Sequence, residues 1–458
     1  MLVVLGFAMI AMFMYLIMSK RLTPVAALIL VPVVFGLVAG AGLGLSDMIM
    51  EALLKLAPNA GLLFFAIIFF GLMIDVGLFG PLIRFILRFA GNDPMKIVVG
   101  TALLTSVVSL DGDGSTTFII VTSAFLPIYL RLGMSPVVLT VVAATANGVL
   151  NTVPWGGSTV RAAAALNVSP IDIFVPMIPA IAAGLVVVIV LAYFLGRGER
   201  KRLGPVDLDV DRAEEKVAVS VGTGGDGGGA TSRAGGAGEG GAGGISGHLD
   251  RPNARPKLFW VNLVLTLAMM TMLVADVVEP VVTLMVSAAI GLVVNFRRAA
   301  QQTDQIKAHA ASIVSVVGLV FAASVLTGVL SGTGMVEAMA RWLVGIIPNS
   351  FGPHLPLIAG VLSLPLTFFM SNDAYFFGVL PVLTETATHF GVTADEMARA
   401  AITGQPLHTS SPLVAAFLLL VGLANVELGD HQRKAIWRAS LTGLMMLLVG
   451  GLVGAYSF

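Results

Sequence analysis

Carboxylates, amides and hydroxyls in this chain gather in four short stretches set inside otherwise apolar sequence. The stretch 110–117 carries Asp111, Asp113, Ser115, Thr116 and Thr117 around Gly112 and Gly114. A second, 145–161, holds Asn147, Asn151, Thr152 and Arg161 around Pro154. Ser371, Asn372 and Asp373 form the third, and 404–412 adds Gln405, His408, Thr409 and Ser410 beside Pro406 and Pro412. Carboxylate, amide and hydroxyl oxygens suit hard cations, while an arginine and the free N–H groups of an interrupted helix suit carboxylates. Cysteine is absent, which excludes thiol catalysis, disulfides and Cys-ligated zinc.

The surroundings of these stretches decide the class. The 458 residues are 57% hydrophobic and 11% charged, with a mean hydropathy of +0.95. A soluble chain carries about 25% charged residues, so water is not the solvent for most of this surface. Twenty-six basic residues balance twenty-six acidic ones, which speaks against a nucleic-acid partner. At roughly 20 apolar residues per span, the chain has room for ten spans with re-entrant pieces and a linker. The first apolar run, 2–18, has no basic stretch before it and Lys20-Arg21 after it, so it reads as a retained span, not a removable signal.

Residues 197–256 are polar and rich in Gly, Ala and Ser, which reads as a flexible linker. They lack the GK[ST] of a phosphate loop. The linker divides two copies of one unit. At offsets of 256–258, Pro24 falls on Pro280, Gly71 on Gly328, Gly77 on Gly334, Ser115 on Ser371, Gly133 on Gly391, Pro154 on Pro412 and Asn167 on Asn425. Spans are predicted near 2–18, 22–44, 58–80, 136–165 and 171–196, then 257–278, 280–296, 311–333, 394–424 and 431–456. Between the third and fourth span of each copy, 95–132 and 353–389 are too long for one span and lack a charged divider, so each is expected to be a re-entrant helical hairpin.

Five spans per copy is an odd number, which turns the second copy (257–458) upside down relative to the first (1–196). Sorting Lys and Arg by side leaves one face with only Lys55, Arg161, Arg341 and Arg399. The positive-inside rule then puts the linker in the cytoplasm and both termini outside. The fold expected is an all-α membrane protein of two inverted repeats, each with five transmembrane helices and one hairpin, with substrate near the midplane. Non-helical backbone survives in hydrocarbon only where it is buried or lines a cavity, so the four polar stretches mark that place.

Blander roles stand beside these. Thr122 and Thr140 either bond back to their own turn or face the site. Asp111, Asp113 and Asp373 either cap the hairpin tips or meet a cation or proton. Arg161 either reaches the outer interface or binds substrate, and His408 is either a satisfied buried histidine or a protonation site. His248, His309, His354, His389 and His431 are expected to be solvated, near span ends or in linkers.

The segments DGDGSTTFIIVTSAFLPIYLRLGMSP, TANGVLNTVPWGGSTVRAAAAL, SNDAYFFGVLP and GQPLHTSSPLVAA resemble those of the citrate–metal:proton symporters, the CitMHS family of the ion-transporter superfamily. The N-terminal LGFAMIAMFMYLIMSKRLTPVAALILVPVVFGLVAG is similar too, while the linker departs in its glycine content. The resemblance implies uptake of citrate chelated to a divalent, Mg or Ca type cation, coupled to proton entry. It also implies a homodimeric elevator in the cell membrane, with no enzyme activity and no permanently bound cofactor.

The residues are compatible with that substrate. Citrate carries about three negative charges at neutral pH, and a divalent ion lowers this to about one. Bare citrate wants several cations, yet the breaks offer only Arg161 and His408. The chelate is expected on Ser115, Thr116, Thr117, Asn147, Asn151, Thr152, Ser371, Asn372, Gln405, Thr409 and Ser410, with Arg161 on a free carboxylate. Asp111, Asp113 and Asp373 are the candidates for metal or proton coupling, burial raising a carboxyl's pKa. The rivals are a sodium-coupled di- or tricarboxylate carrier of the same architecture, a passive channel, and an intramembrane aspartyl hydrolase using these acids.

Overall fold

The computed structural model describes the chain except residues 20, 79, 82–84, 87, 89–90, 92, 113, 204–254, 276 and 458. Prolines set many helix starts: fixed φ and a missing N–H suit the first helical position. Thr23 caps α1's successor α2 (Pro24–Val38), after α1 (Leu2–Met18), by accepting from Ala26 N–H. Asp93 caps α4 (Pro94–Val108) in the same way through Met95 N–H. Between them lies α3 (Leu45–Asp75). Next come α5 (Gly114–Arg131), α6 (Pro136–Leu150), α7 (Gly157–Leu166) and α8 (Pro170–Leu203).

The second half of the chain is helical too. It runs α9 (Phe259–Ala275), α10 (Pro280–Asn295), α11 (Ala299–Ala308), α12 (Ala310–Gly332) and α13 (Met335–Val344). Then come α14 (Leu355–Phe369), a π turn Ala374–Val379 leading into α15 (Leu380–Thr388), and α16 (Ala394–Ala401). A tight turn Ile402–Gly404 and one short turn Gln405–His408 precede a break, then α17 (Ala415–Leu423) and α18 (Leu428–Leu452) complete the chain.

Packing is reciprocal between the halves. The helix α2 lies on α12 while its counterpart α10 lies on α3, and the counterparts α3 and α12, and α8 and α18, pack on each other. Asn167 and Asn425, the non-glycine residues with positive φ among those described, stand 258 positions apart at φ 55° and 49°. Each ends the helix after a break, where Asn tolerates the left-handed conformation that closes the last turn.

Two hydrophobic cores divide the molecule. One is formed by α4–α6, α8 and α14–α18, around Phe118, Phe125, Tyr375, Phe376 and Phe417. The other is formed by α1–α3, α9, α10, α12 and α13, around Phe13, Leu28, Phe69 and Met73. The helix α7 serves both: Ala162 and Ala163 enter the first core, Val160 and Ala164 the second. Outward faces stay apolar, with Val264, Val293 and Val314 all more than 60% exposed, as lipid requires.

Among the described residues, six helices are long and apolar enough to cross a membrane and five shorter ones are apolar, where ten full spans were expected. The expected fourth and ninth spans are each split at a polar break. The third begins at Leu45 instead of 58, because Asp47, Glu51 and Lys55 lie on an exposed polar extension of the same helix. The fifth runs on to Leu203, past the expected linker boundary at 197. There Glu199 accepts from Ser135 N–H at 2.9 Å and from Arg202 at 2.6 Å, fastening the helix end to the α5–α6 loop.

Candidate functional site

Side chains replace helical hydrogen bonds at each interruption. Asn151, at the end of α6, accepts from Gly157 N–H at 2.9 Å, and its own carbonyl accepts from Ser158 Oγ at 2.8 Å. Thr152 donates to Val149 O at 2.6 Å while its carbonyl accepts from Thr159 at 2.9 Å. Pro154 has no N–H to satisfy. The segment 151–156 therefore stays unwound with its buried backbone groups paired.

The interruptions are wired to one another. Gln405 is fully buried; its Oε1 accepts from Asn151 Nδ2 at 3.0 Å and from Asn372 Nδ2 at 3.1 Å, and its Nε2 donates to Asn372 Oδ1 at 3.2 Å. Thr409 donates to Ala144 O at 2.8 Å. Beneath this cluster α6 crosses the Gln405–His408 turn so closely that a Cβ on Gly148 would lie 2.6 Å from Pro406 Cα. At the tip of hairpin one, Asn147 Nδ2 donates to Ser109 Oγ at 3.0 Å, and Trp155 Nε1 donates to Leu110 O at 2.8 Å.

A cavity of about 350 Å³ opens where all four interruptions meet. Asn147, Asn151, Gly157 and Arg161 border it from one break, Ser371, Asn372 and Asp373 from another, His408 and Thr409 from a third, and Gly114 from the tip of hairpin one. Arg161 donates from Nε to Asp373 Oδ1 at 2.6 Å and from Nη1 to Gly157 O at 2.7 Å. His408 gives its Nδ1–H to Thr367 O at 2.6 Å, a carbonyl being an acceptor only, so Nε2 is the nitrogen left for other partners. Among the described residues no three His, Cys, Asp or Glu side chains cluster for a metal ion. A cation here draws on Asp373 and on amide and hydroxyl oxygens.

Several expected site residues stand elsewhere. Gln405 and Thr152 lie behind the cavity wall and hold its shape. Ser410 turns its hydroxyl to His431 Nε2 at 3.2 Å. Ser115 and Thr116 border a different cavity, because the tip turns through Gly112 at φ 79°. Thr117 is buried and its hydroxyl has no partner among the described residues. Asp111 closes the turn Ser109–Asp111, and Asp113 lies outside the described residues. Thr122 does bond its own turn, at Phe118 O, 2.6 Å.

Two histidines expected in solvent are instead enclosed. His431 is fully buried between Thr140 Oγ1 at 3.0 Å and Ser410 Oγ, with its ring 4.6 Å from Phe417. The helix begins at Leu428, and His431 shares its inner face with Ala435 and Ala439, four and eight residues on; that spacing is the signal a hydropathy reading passes over. His309 is half-buried against Asp75 Oδ2 at 3.0 Å. His354 and His389 are exposed as expected, and His248 lies outside the described residues.

Known proteins resemble this chain along its length. A citrate transporter from Bacillus subtilis is 46% identical over all of both chains. A Mg(2+)/citrate complex secondary transporter of the same organism is 44% identical over 100% of this chain and 99% of its own. The crystal structure of the Alcanivorax borkumensis YdaH transporter aligns with 88% of this chain and 86% of its own, at TM-score 0.49 and 13% identity. The description of the citrate transporter family, CitMHS, matches residues 8–404. This chain is therefore a member of the citrate transporter family, a multi-pass transporter and not an enzyme.

Proposed function

We propose that the chain takes up citrate as its complex with a divalent cation of the Mg or Ca type, together with protons, across the cell membrane. The observation that carries this reading is the convergence of four broken helices, two from each half, on one 350 Å³ cavity that holds, among the described residues, one arginine–aspartate pair. Arg161 and Asp373 cancel each other's charge, so the described lining offers no surplus of cations. In a site of effective dielectric near 20, two like unit charges 4 Å apart repel by about 4 kcal/mol. Bare citrate with about three charges fits such a site poorly; a chelate with about one fits it better. The similarity to a Mg(2+)/citrate complex secondary transporter supports the same substrate.

In this mechanism a free carboxylate of the chelate takes Arg161 from Asp373. Asp373, released, faces the cation or accepts the symported proton. Asn151, Asn372 and Thr409 contact the chelate's hydroxyl and remaining oxygens. The two halves are inverted repeats, with termini outside and the linker in the cytoplasm. The first core with the four breaks moves as an elevator against the second, in a homodimer that meets through the second. Counterflow of labelled citrate in proteoliposomes tests the substrate: exchange is expected with Mg²⁺ or Ca²⁺, and exchange that needs sodium but no divalent ion would overturn the reading.

A further inference from the structure

One imidazole outside the site has a seat built for it. A methyl group on Gly71 would lie 2.4 Å from His309 Cε1, so the ring rests on bare backbone of α3. One turn on, Asp75 accepts from His309 Nε2 at 3.0 Å, and Gln305, one turn earlier than His309, donates to the same carboxylate oxygen. The carboxylate is an acceptor, which makes Nε2 the donor nitrogen of the ring.

The pair borders a cavity of about 730 Å³, twice the volume of the first. This cavity lies between the two cores: Asp75, Ser312 and Ser315 line it from helices of the second core, joined by Trp155, which packs in that same core, and Ser115 and Thr116 line it from a helix of the first. The tip of hairpin one is the partition, facing this cavity at Ser115 and Thr116 and the smaller one at Gly114. Trp155 holds the partition in place, bonded to Leu110 O and stacked on Phe70 at 4.0 Å. Arg255, where the linker returns, donates its N–H to Val76 O at 2.8 Å, next to Asp75. The cavity is thus at the linker end of the molecule.

We infer that this cavity is a second binding station for the citrate–cation complex, on the linker side of hairpin one, with the His309–Asp75 pair as its selective element. The inference rests on the citrate reading above. A chelate of a hard cation presents two kinds of group: carboxylate oxygens that accept, and metal-bound waters that donate. The hydroxyls of Ser115, Thr116, Ser312 and Ser315 do both, and Asp75 accepts from the waters. Bare citrate presents almost only acceptors and leaves Asp75 facing like charge. The larger volume lets the complex keep its water.

The chain has no cysteine, so Ser312→Cys and Ser315→Cys each supply a unique thiol on an exposed position. Purified protein in vesicles of known orientation is treated with a membrane-impermeant anionic methanethiosulfonate. Labelling is expected from the linker face alone, slowed about fivefold or more by Mg²⁺ with citrate and by neither alone. His309→Gln in the same background is expected to lose most of this protection. Labelling from the opposite face, no labelling, or full protection of the His309→Gln protein would each overturn the inference. Citrate–Mg²⁺ counterflow is measured on the same vesicles. Absent flow sinks the citrate reading itself, while intact flow without protection sinks only the second station.

Discussion

Arg161 commits Nε to Asp373 and one Nη to Gly157 O, a geometry fixed by its planar guanidinium. Lysine cannot make both bonds from one nitrogen at these positions. With charge-assisted hydrogen bonds contributing about 1.5–3 kcal/mol each, Arg161→Lys is expected to raise the KM for citrate with Mg²⁺ by roughly ten- to a hundredfold, read from initial uptake rates at matched protein levels. Asp373→Asn leaves Arg161 uncancelled. The ratio of uptake with excess Mg²⁺ to uptake with chelator is expected to fall about tenfold, since bare citrate gains where the chelate loses. An unchanged ratio would remove Asp373 from cation selection. Residue types in the breaks were legible: Asn147, Asn151, Arg161, Asn372, Asp373, His408 and Thr409 all border the cavity. Which way a neighbour turns was not. Ser115 and Thr116 face away because one left-handed glycine redirects the tip. The His309–Asp75 pair joins positions 234 apart through α3 and the α11–α12 junction, a contact no local pattern announces.

At the scale of elements, the crossing of α6 with the Gln405–His408 turn is a close backbone approach at the site. Gly148→Ala places a methyl 2.6 Å from Pro406 Cα and Gln405 O close by. Overpacking of this kind costs about 1–3 kcal/mol, so the thermal midpoint in detergent is expected to fall. Gly198→Ala, on α8 with nothing within 4 Å of the added Cβ, is the control and is expected to match or exceed the parent, by about 0.5–1 kcal/mol of helix preference. Gly and Pro at the breaks made the interruptions readable from the chain alone, because each denies the helix a hydrogen bond or a stiff backbone. Helix ends were less readable. The extension of α3 back to Leu45 is solvated along Asp47, Glu51 and Lys55, and apolar runs say nothing about where a helix continues past lipid.

For the whole molecule, the proposed inversion of the two halves makes a clean demand. Cysteines placed at Arg131, ending hairpin one, and at His389, ending hairpin two, are expected to react with an impermeant thiol reagent from opposite faces of the membrane. Reaction from the same face would remove the inverted arrangement. Gly133 and Gly391, at φ 67° and 82°, and the Asn167–Asn425 pair hold left-handed positions 258 residues apart, which supports the proposed duplication.

The pin between Gly148 and Pro406 and the amide junction at Gln405 tie both interrupted helices to one second-half tip. In the elevator proposed above, a ligand clasped there keeps the same partners wherever that assembly travels. Its grip is then equal on either face of the membrane, and no energy for pumping comes from loosening the clasp. In the proposed mechanism the steepness of accumulation is left to the ion that rides along, met by Asp373, and not to any change in how tightly the pocket holds citrate.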